Sequence, residues 1–69
     1  MNVGAAMKVL AKDARISAAE ISRRTGLSES YLSMLFNAKI EDPQLSKVYA
    51  IAEVLGVTVD ELVRYAREN

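Results

Sequence analysis

The chain has 69 residues, 51% of them apolar and 26% charged, with nine basic side chains balanced by nine acidic ones, no cysteine and no histidine. That content supports one small packed domain and excludes a disordered chain, while the missing residue types exclude disulfides, zinc fingers, Cys and His nucleophiles and the usual neutral-pH general base. No run of about 18 apolar residues is present and the first residues lack the charged start and apolar stretch of a signal peptide, so the expectation is a soluble, cytoplasmic protein that is not an enzyme and uses no cofactor, metal or membrane.

Ordering this many residues costs on the order of 100 kcal/mol in conformational entropy, so almost every apolar side chain has to be buried. A fold of this size is marginal, or a second copy completes it. Start and stop signals cut the chain into five helices and no segment alternates at period two, which predicts an all-α, compact five-helix bundle over residues 1–69. Asn2 caps a first helix whose stripe is Val3, Met7, Leu10, Ala11 and Ala14. Ser17 with Glu20 forms a capping box that opens a second helix, and Gly26 closes it. Ser28 caps a third helix that reaches about Asn37. Asp42 and Pro43 suit the cap and first position of a fourth, with Leu45, Val48, Ile51, Ala52 and Leu55 inward and Gly56 at its end. Thr58 with Glu61 is a second capping box, ahead of a fifth helix with the stripe Val59, Leu62, Val63 and Ala66 and a frayed end over Arg67, Glu68 and Asn69.

The zero net charge conceals an asymmetry. Up to Lys39 there are six basic residues (Lys8, Lys12, Arg15, Arg23, Arg24, Lys39) and three acidic ones (Asp13, Glu20, Glu29); beyond it Lys47, Arg64 and Arg67 face Glu41, Asp42, Glu53, Asp60, Glu61 and Glu68. Such a division offers a basic end to a polyanion and an acidic end to solvent or to a protein partner. The paired carboxylates Glu41–Asp42 and Asp60–Glu61 do not suggest an active site, because no phosphate loop or metal-spaced cluster accompanies them and the second pair suits a helix start. Arg23 and Arg24 read as a solvated helix C-terminus.

On a helical wheel the third helix turns Leu32 and Leu35 inward, with Tyr31 and Phe36 flanking them. Its opposite face carries Ser30, Ser33, Met34 and Asn37 with Glu29 at the edge, almost uncharged where a solvent-facing helix would carry Lys, Glu and Arg. Two helices joined by a short Gly-containing turn, the second with such a face, fit the description of a helix-turn-helix. Residues 18–37, with Ile21, small Ser22, Gly26, Leu27, Leu32 and Leu35 in place, resemble the twenty-residue form of that motif. Together with Ser17, Lys39, Pro43 and the closing run from Leu55 through Gly56, Val57 and Thr58 to Leu62, nearly the whole chain resembles the Cro and phage-repressor (XRE-type) family of bacterial and phage regulators.

The resemblance implies a lambda-repressor-like DNA-binding domain whose third helix lies in the major groove. The matching positions for base contacts are Glu29, Ser30, Ser33 and Met34; those for phosphate contacts are Ser17, Ser28, Tyr31, Asn37 and Lys39. It also implies a homodimer on a pseudo-palindromic operator, with Val57, Val59 and Leu62 as the interface and Leu62 equally suited to the monomer core. The chain departs from the family pattern in three ways: Ala18 stands where many relatives have Gln, Phe36 and Ala11 replace a frequent Glu–Arg pair, and Glu41 and Asp42 make the loop after the third helix acidic. The reading is a sequence-specific transcriptional regulator, a repressor. The alternative is a protein-interaction module on the same fold, an antitoxin or anti-regulator whose acidic second half or Met34 face binds a protein and whose DNA binding is weak or partner-dependent.

Overall fold

The computed structural model describes residues 2–68, and within them there are five helices and no strand: α1 Val3–Ala14, α2 Ala18–Thr25, α3 Glu29–Phe36, α4 Leu45–Leu55 and α5 Val59–Glu68. The starts follow local chemistry. Asn2 is extended and its Oδ1 accepts the Ala5 N–H at 2.9 Å. Ser17 and Ser28 accept the N–H groups of Glu20 and Tyr31 at 3.1 and 3.0 Å, each satisfying a donor that a helix start leaves unpaired. The box at α5 is complete: Glu61 donates its N–H to Thr58 Oγ1 at 3.0 Å and its carboxylate accepts the Thr58 N–H at 2.9 Å. At α2 only half forms, because the Glu20 carboxylate turns instead to Arg23 and Arg24, 3.8 and 3.5 Å away.

Four expectations about the elements need correction. α4 starts at Leu45, so Asp42 and Pro43 are neither its cap nor its first residue; Gln44 occupies the cap position without a side-chain bond. Leu45 is 71% exposed instead of inward. A helical side chain leans over the turn N-terminal to it, and the first residue of a helix has no such turn to lean on. Ala14, at the other end of the predicted α1 stripe, is exposed one residue before the chain reverses at Arg15, and Gly4 and Ala6 are buried instead. The helix α5 also continues through Arg67 and Glu68, which were expected to fray; Asn69 lies outside the described residues.

Three helices end in the same reversal. After α1, α3 and α4 a left-handed residue (Arg15, Ala38, Gly56) directs the next N–H back to a carbonyl five residues earlier: Ile16 to Ala11 at 2.9 Å, Lys39 to Met34 at 2.9 Å, Val57 to Ala52 at 3.1 Å. Two of the three are made without glycine. The core is one cluster drawn from all five helices, with Met7, Ile21, Leu32, Leu35, Ile51 and Leu62 fully buried and Ala6, Ala11, Val48, Ala52 and Ala66 around them. Phe36 packs against this cluster and Ala11 is within it, so the apolar pair fills space that a buried ion pair would otherwise have to be desolvated to occupy. Gly4 sets the distance between α1 and α3, because a Cβ there would overlap the Leu35 carbonyl. The two helices therefore touch backbone to backbone beside the C-terminal turn of α3.

Candidate nucleic-acid interface

The angle between α2 and α3 is fixed by side chains bonding to the turn between them. Gly26 takes a left-handed conformation (φ 81°) that an L side chain adopts only with strain. The Ser22 hydroxyl donates to the Leu27 carbonyl, while Thr25 Oγ1 donates to the Ile21 carbonyl at 2.7 Å and accepts the Leu27 N–H at 3.2 Å. The N–H and the carbonyl of Leu27, which the turn withdraws from helical bonding, thereby both find partners. Ser22 is small where α2 passes α3, and its hydroxyl also acts as a fastener, which its size alone did not reveal.

Fastened in this way, α3 buries Leu32 and Leu35 completely, holds Tyr31 and Phe36 half-buried at its flanks, and exposes Glu29, Ser30, Ser33, Met34 and Asn37. All four residues expected to contact bases thus lie on one exposed helical surface. Met34 is 51% exposed, an apolar group presented to solvent among small polar ones. The surface can offer hydroxyl donors and acceptors, one carboxylate acceptor and one thioether, which match base edges and a thymine methyl.

The residues expected at phosphates are placed less uniformly. Ser17 and Ser28 use their oxygens as caps and keep their hydroxyl hydrogens to donate, which suits a phosphate oxygen. Lys39 is exposed just beyond α3. Tyr31 is half-buried with Lys47 of α4 4.6 Å above its ring centre, so a cation accompanies it. Asn37 is exposed at the end of α3, where its Nδ2 donates to the Ser33 carbonyl at 2.9 Å and to Ser33 Oγ at 3.4 Å and its Oδ1 accepts from Lys8 Nζ at 3.4 Å. Lys8 and Lys47 escaped the sequence reading. Lys8 lies 29 residues from Asn37, and only the α1–α3 contact brings them together.

Of the candidate dimer residues, Leu62 is fully buried and has no surface to give a partner, which corrects that assignment in favour of the core. Val57 and Val59 are half-buried and line a shallow apolar groove with Leu45, Tyr49 and Ala52. Leu45 and Tyr49, 71% and 58% exposed, are the two most exposed large apolar side chains among the described residues. Several charges away from α3 have local partners. Arg23 and Arg24 face Glu20, Arg64 meets Asp60 at 2.8 Å, and the hydrogen bonds from Thr58, aided by Arg64, hold the Glu61 carboxyl below the usual glutamate range. Among the described residues no three potential metal ligands gather, and no helix is long and apolar enough to cross a membrane.

Two short helices locked across a glycine turn, the second turning a nearly uncharged face outward from a five-helix core, define a helix-turn-helix DNA-binding domain. The chain matches the Cro/C1-type HTH DNA-binding domain over residues 6–68 and belongs to that family. Its partner class is accordingly double-stranded DNA. No curated protein and no solved structure gives a significant match.

Proposed function

We propose that this protein is a sequence-specific transcriptional repressor that acts as a homodimer on a pseudo-palindromic operator. The observation that carries the reading is the exposed, nearly uncharged face of α3 within a family-matched helix-turn-helix. With α3 in the major groove, Ser30 and Ser33 meet base edges, Met34 rests against a thymine methyl and Glu29 accepts from a cytosine amino group. Ser17, Ser28, Tyr31 and Lys39 contact phosphates, joined by Lys8 and Lys47, and these set register without reading sequence. Two copies related by a two-fold axis place their recognition helices about 34 Å apart, on successive turns of one face of the duplex. Val57 and Val59 with the adjoining Leu45 and Tyr49 are the surface we assign to the second copy.

The test is selection from random duplex DNA at low salt, with the oligomeric state recorded in the same buffer. A two-fold symmetric site is expected. Ser33→Glu with Met34→Glu should abolish enrichment, whereas Arg64→Ala, on the exposed side of α5, should retain it. Intact binding by the double variant would refute the groove assignment. A folded protein that enriches no sequence would favour the interaction module, with the acidic second half as the surface to probe.

A further inference from the structure

We infer that α1 is a second DNA-contacting element, on which Lys8, Lys12 and Arg15 form a row of cations that follows the phosphate backbone between the start of α2 and the end of α3. The inference rests on the groove reading above and adds two charged contacts per subunit, Lys12 and Arg15, to it.

Helical spacing makes the row. At about 100° per residue, Lys8, Lys12 and Arg15 fall within roughly 60° of one another and rise about 10 Å along the helix. All three are exposed. The same spacing sets Lys8 about 40° and Arg15 about 20° from Gly4, where the α1 backbone meets the Leu35 carbonyl, so the row borders the edge of α1 that packs on α3. At one end Lys8 Nζ lies 3.4 Å from Asn37 Oδ1, at the exposed end of α3 and two residues before Lys39. At the other, Arg15 stands two residues before Ser17, whose hydroxyl caps α2. Ser17 and Lys39 are the phosphate contacts already assigned to those two places, and the row spans the gap between them.

The charge of the row is available to a polyanion. Arg23, Arg24 and Arg64 stand opposite carboxylates. Among the described residues the side chains of Lys12 and Arg15 have no hydrogen-bond or ion-pair partner, and Lys8 bonds only a neutral amide. Asp13, the one carboxylate within α1, falls about 100° or more around the helix from each of the three. An ordinary solvated face intersperses both signs, whereas this row carries one. Sorting of this kind gives a chain of zero net charge a cationic edge. Each strand of a duplex carries one charge per 3.4 Å of axis, so a row about 10 Å long meets about three phosphates. Contacts to them raise affinity and salt dependence without reading bases.

The experiment is a titration of duplex binding between 50 and 200 mM salt, on the sequence that selection enriches, with helicity checked for every variant. With Lys8, Lys39 and Lys47 as the only charged contacts a dimer neutralises six phosphates and its log–log slope is about −5; Lys12 and Arg15 bring the number to ten and the slope to about −9. Lys12→Gln and Arg15→Gln each remove two contacts from the dimer and should make the slope shallower by about 1.8, so that the affinity lost across the range is about tenfold smaller than in the wild type. The double variant should return to about −5. All of them should select the same sequence. Arg67→Gln, which removes an equal charge from α5, should keep the wild-type slope. Wild-type slopes in Lys12→Gln and Arg15→Gln beside a shallower one in Lys39→Gln would overturn the inference and leave the groove reading intact. A change in Arg67→Gln as large as theirs would overturn it too, since the effect would then belong to total charge and not to the row. A folded chain that enriches no duplex would refute the groove reading and the inference with it.

Discussion

The Glu61 carboxylate accepts the Thr58 N–H at 2.9 Å and lies one turn from Arg64, so its ionised form is the one that caps α5. Its folded-state pKa lies below its unfolded value, so the unfolded chain takes up the proton first as the pH falls. The stabilisation is complete above the ordinary glutamate pKa of about 4.3 and disappears as the pH drops through the lower folded-state value. Thermal unfolding of the wild type and Glu61→Gln should therefore differ most near pH 7 and converge toward pH 3. This pair was legible in the sequence because both partners lie three residues apart on one turn. Asn37 was not: its amide is claimed by Ser33 one turn away and by Lys8 from a different helix, and the second claim has no sequence signature.

At the scale of elements, all five helices and both motif helices were readable from caps and stripes, since these are interactions within about four residues. The start of α4 was misread because Asp-Pro is a good local start signal that the tertiary structure does not use. The position of α3 depends on α1 more than any spacing suggested. Gly4 lets the α1 backbone meet the Leu35 carbonyl, and a glycine inside a helix carries no signal of what it faces. Alanine there would gain about 1 kcal/mol of helix propensity but force backbone against backbone. Overpacking of that kind costs roughly 1–3 kcal/mol, and no flexible side-chain end is available to move away. Gly4→Ala should accordingly lower the urea midpoint, and because the clash falls on the last turn of α3, DNA affinity should fall in the protein that remains folded.

For the molecule as a whole, a net charge of zero and a surface of 4519 Å² bound what DNA binding and dimerisation can be. If each subunit neutralises about three phosphates, a dimer has a log–log salt slope near −5 and loses roughly a thousandfold in affinity between 50 and 200 mM salt. A titration across that range checks the number. A standard protein interface takes about 800 Å² per partner, roughly a sixth of this surface, which the Leu45–Tyr49–Val57–Val59 outcrop approaches only with neighbours included. The dimer should therefore be weak in solution and form chiefly on paired half-sites. Leu45→Ser with Tyr49→Ser, both exposed in the monomer, should abolish cooperativity between half-sites while leaving the thermal midpoint nearly unchanged. Loss of folding in that variant would instead place the outcrop in the monomer's own stability.

The amino-acid sequence alone determined the class of fold, the order of the helices, the inward face of α3 and the outward one opposite it. These follow from capping chemistry and the 3.6-residue period, which act within a single helix. Tertiary structure decided the rest: Leu62 in the core and not at a partner, Leu45 and Tyr49 at the surface, Gly4 against α3, and Lys8 on Asn37. Each of these depends on which helix lies against which, a long-range packing outcome that no local period encodes.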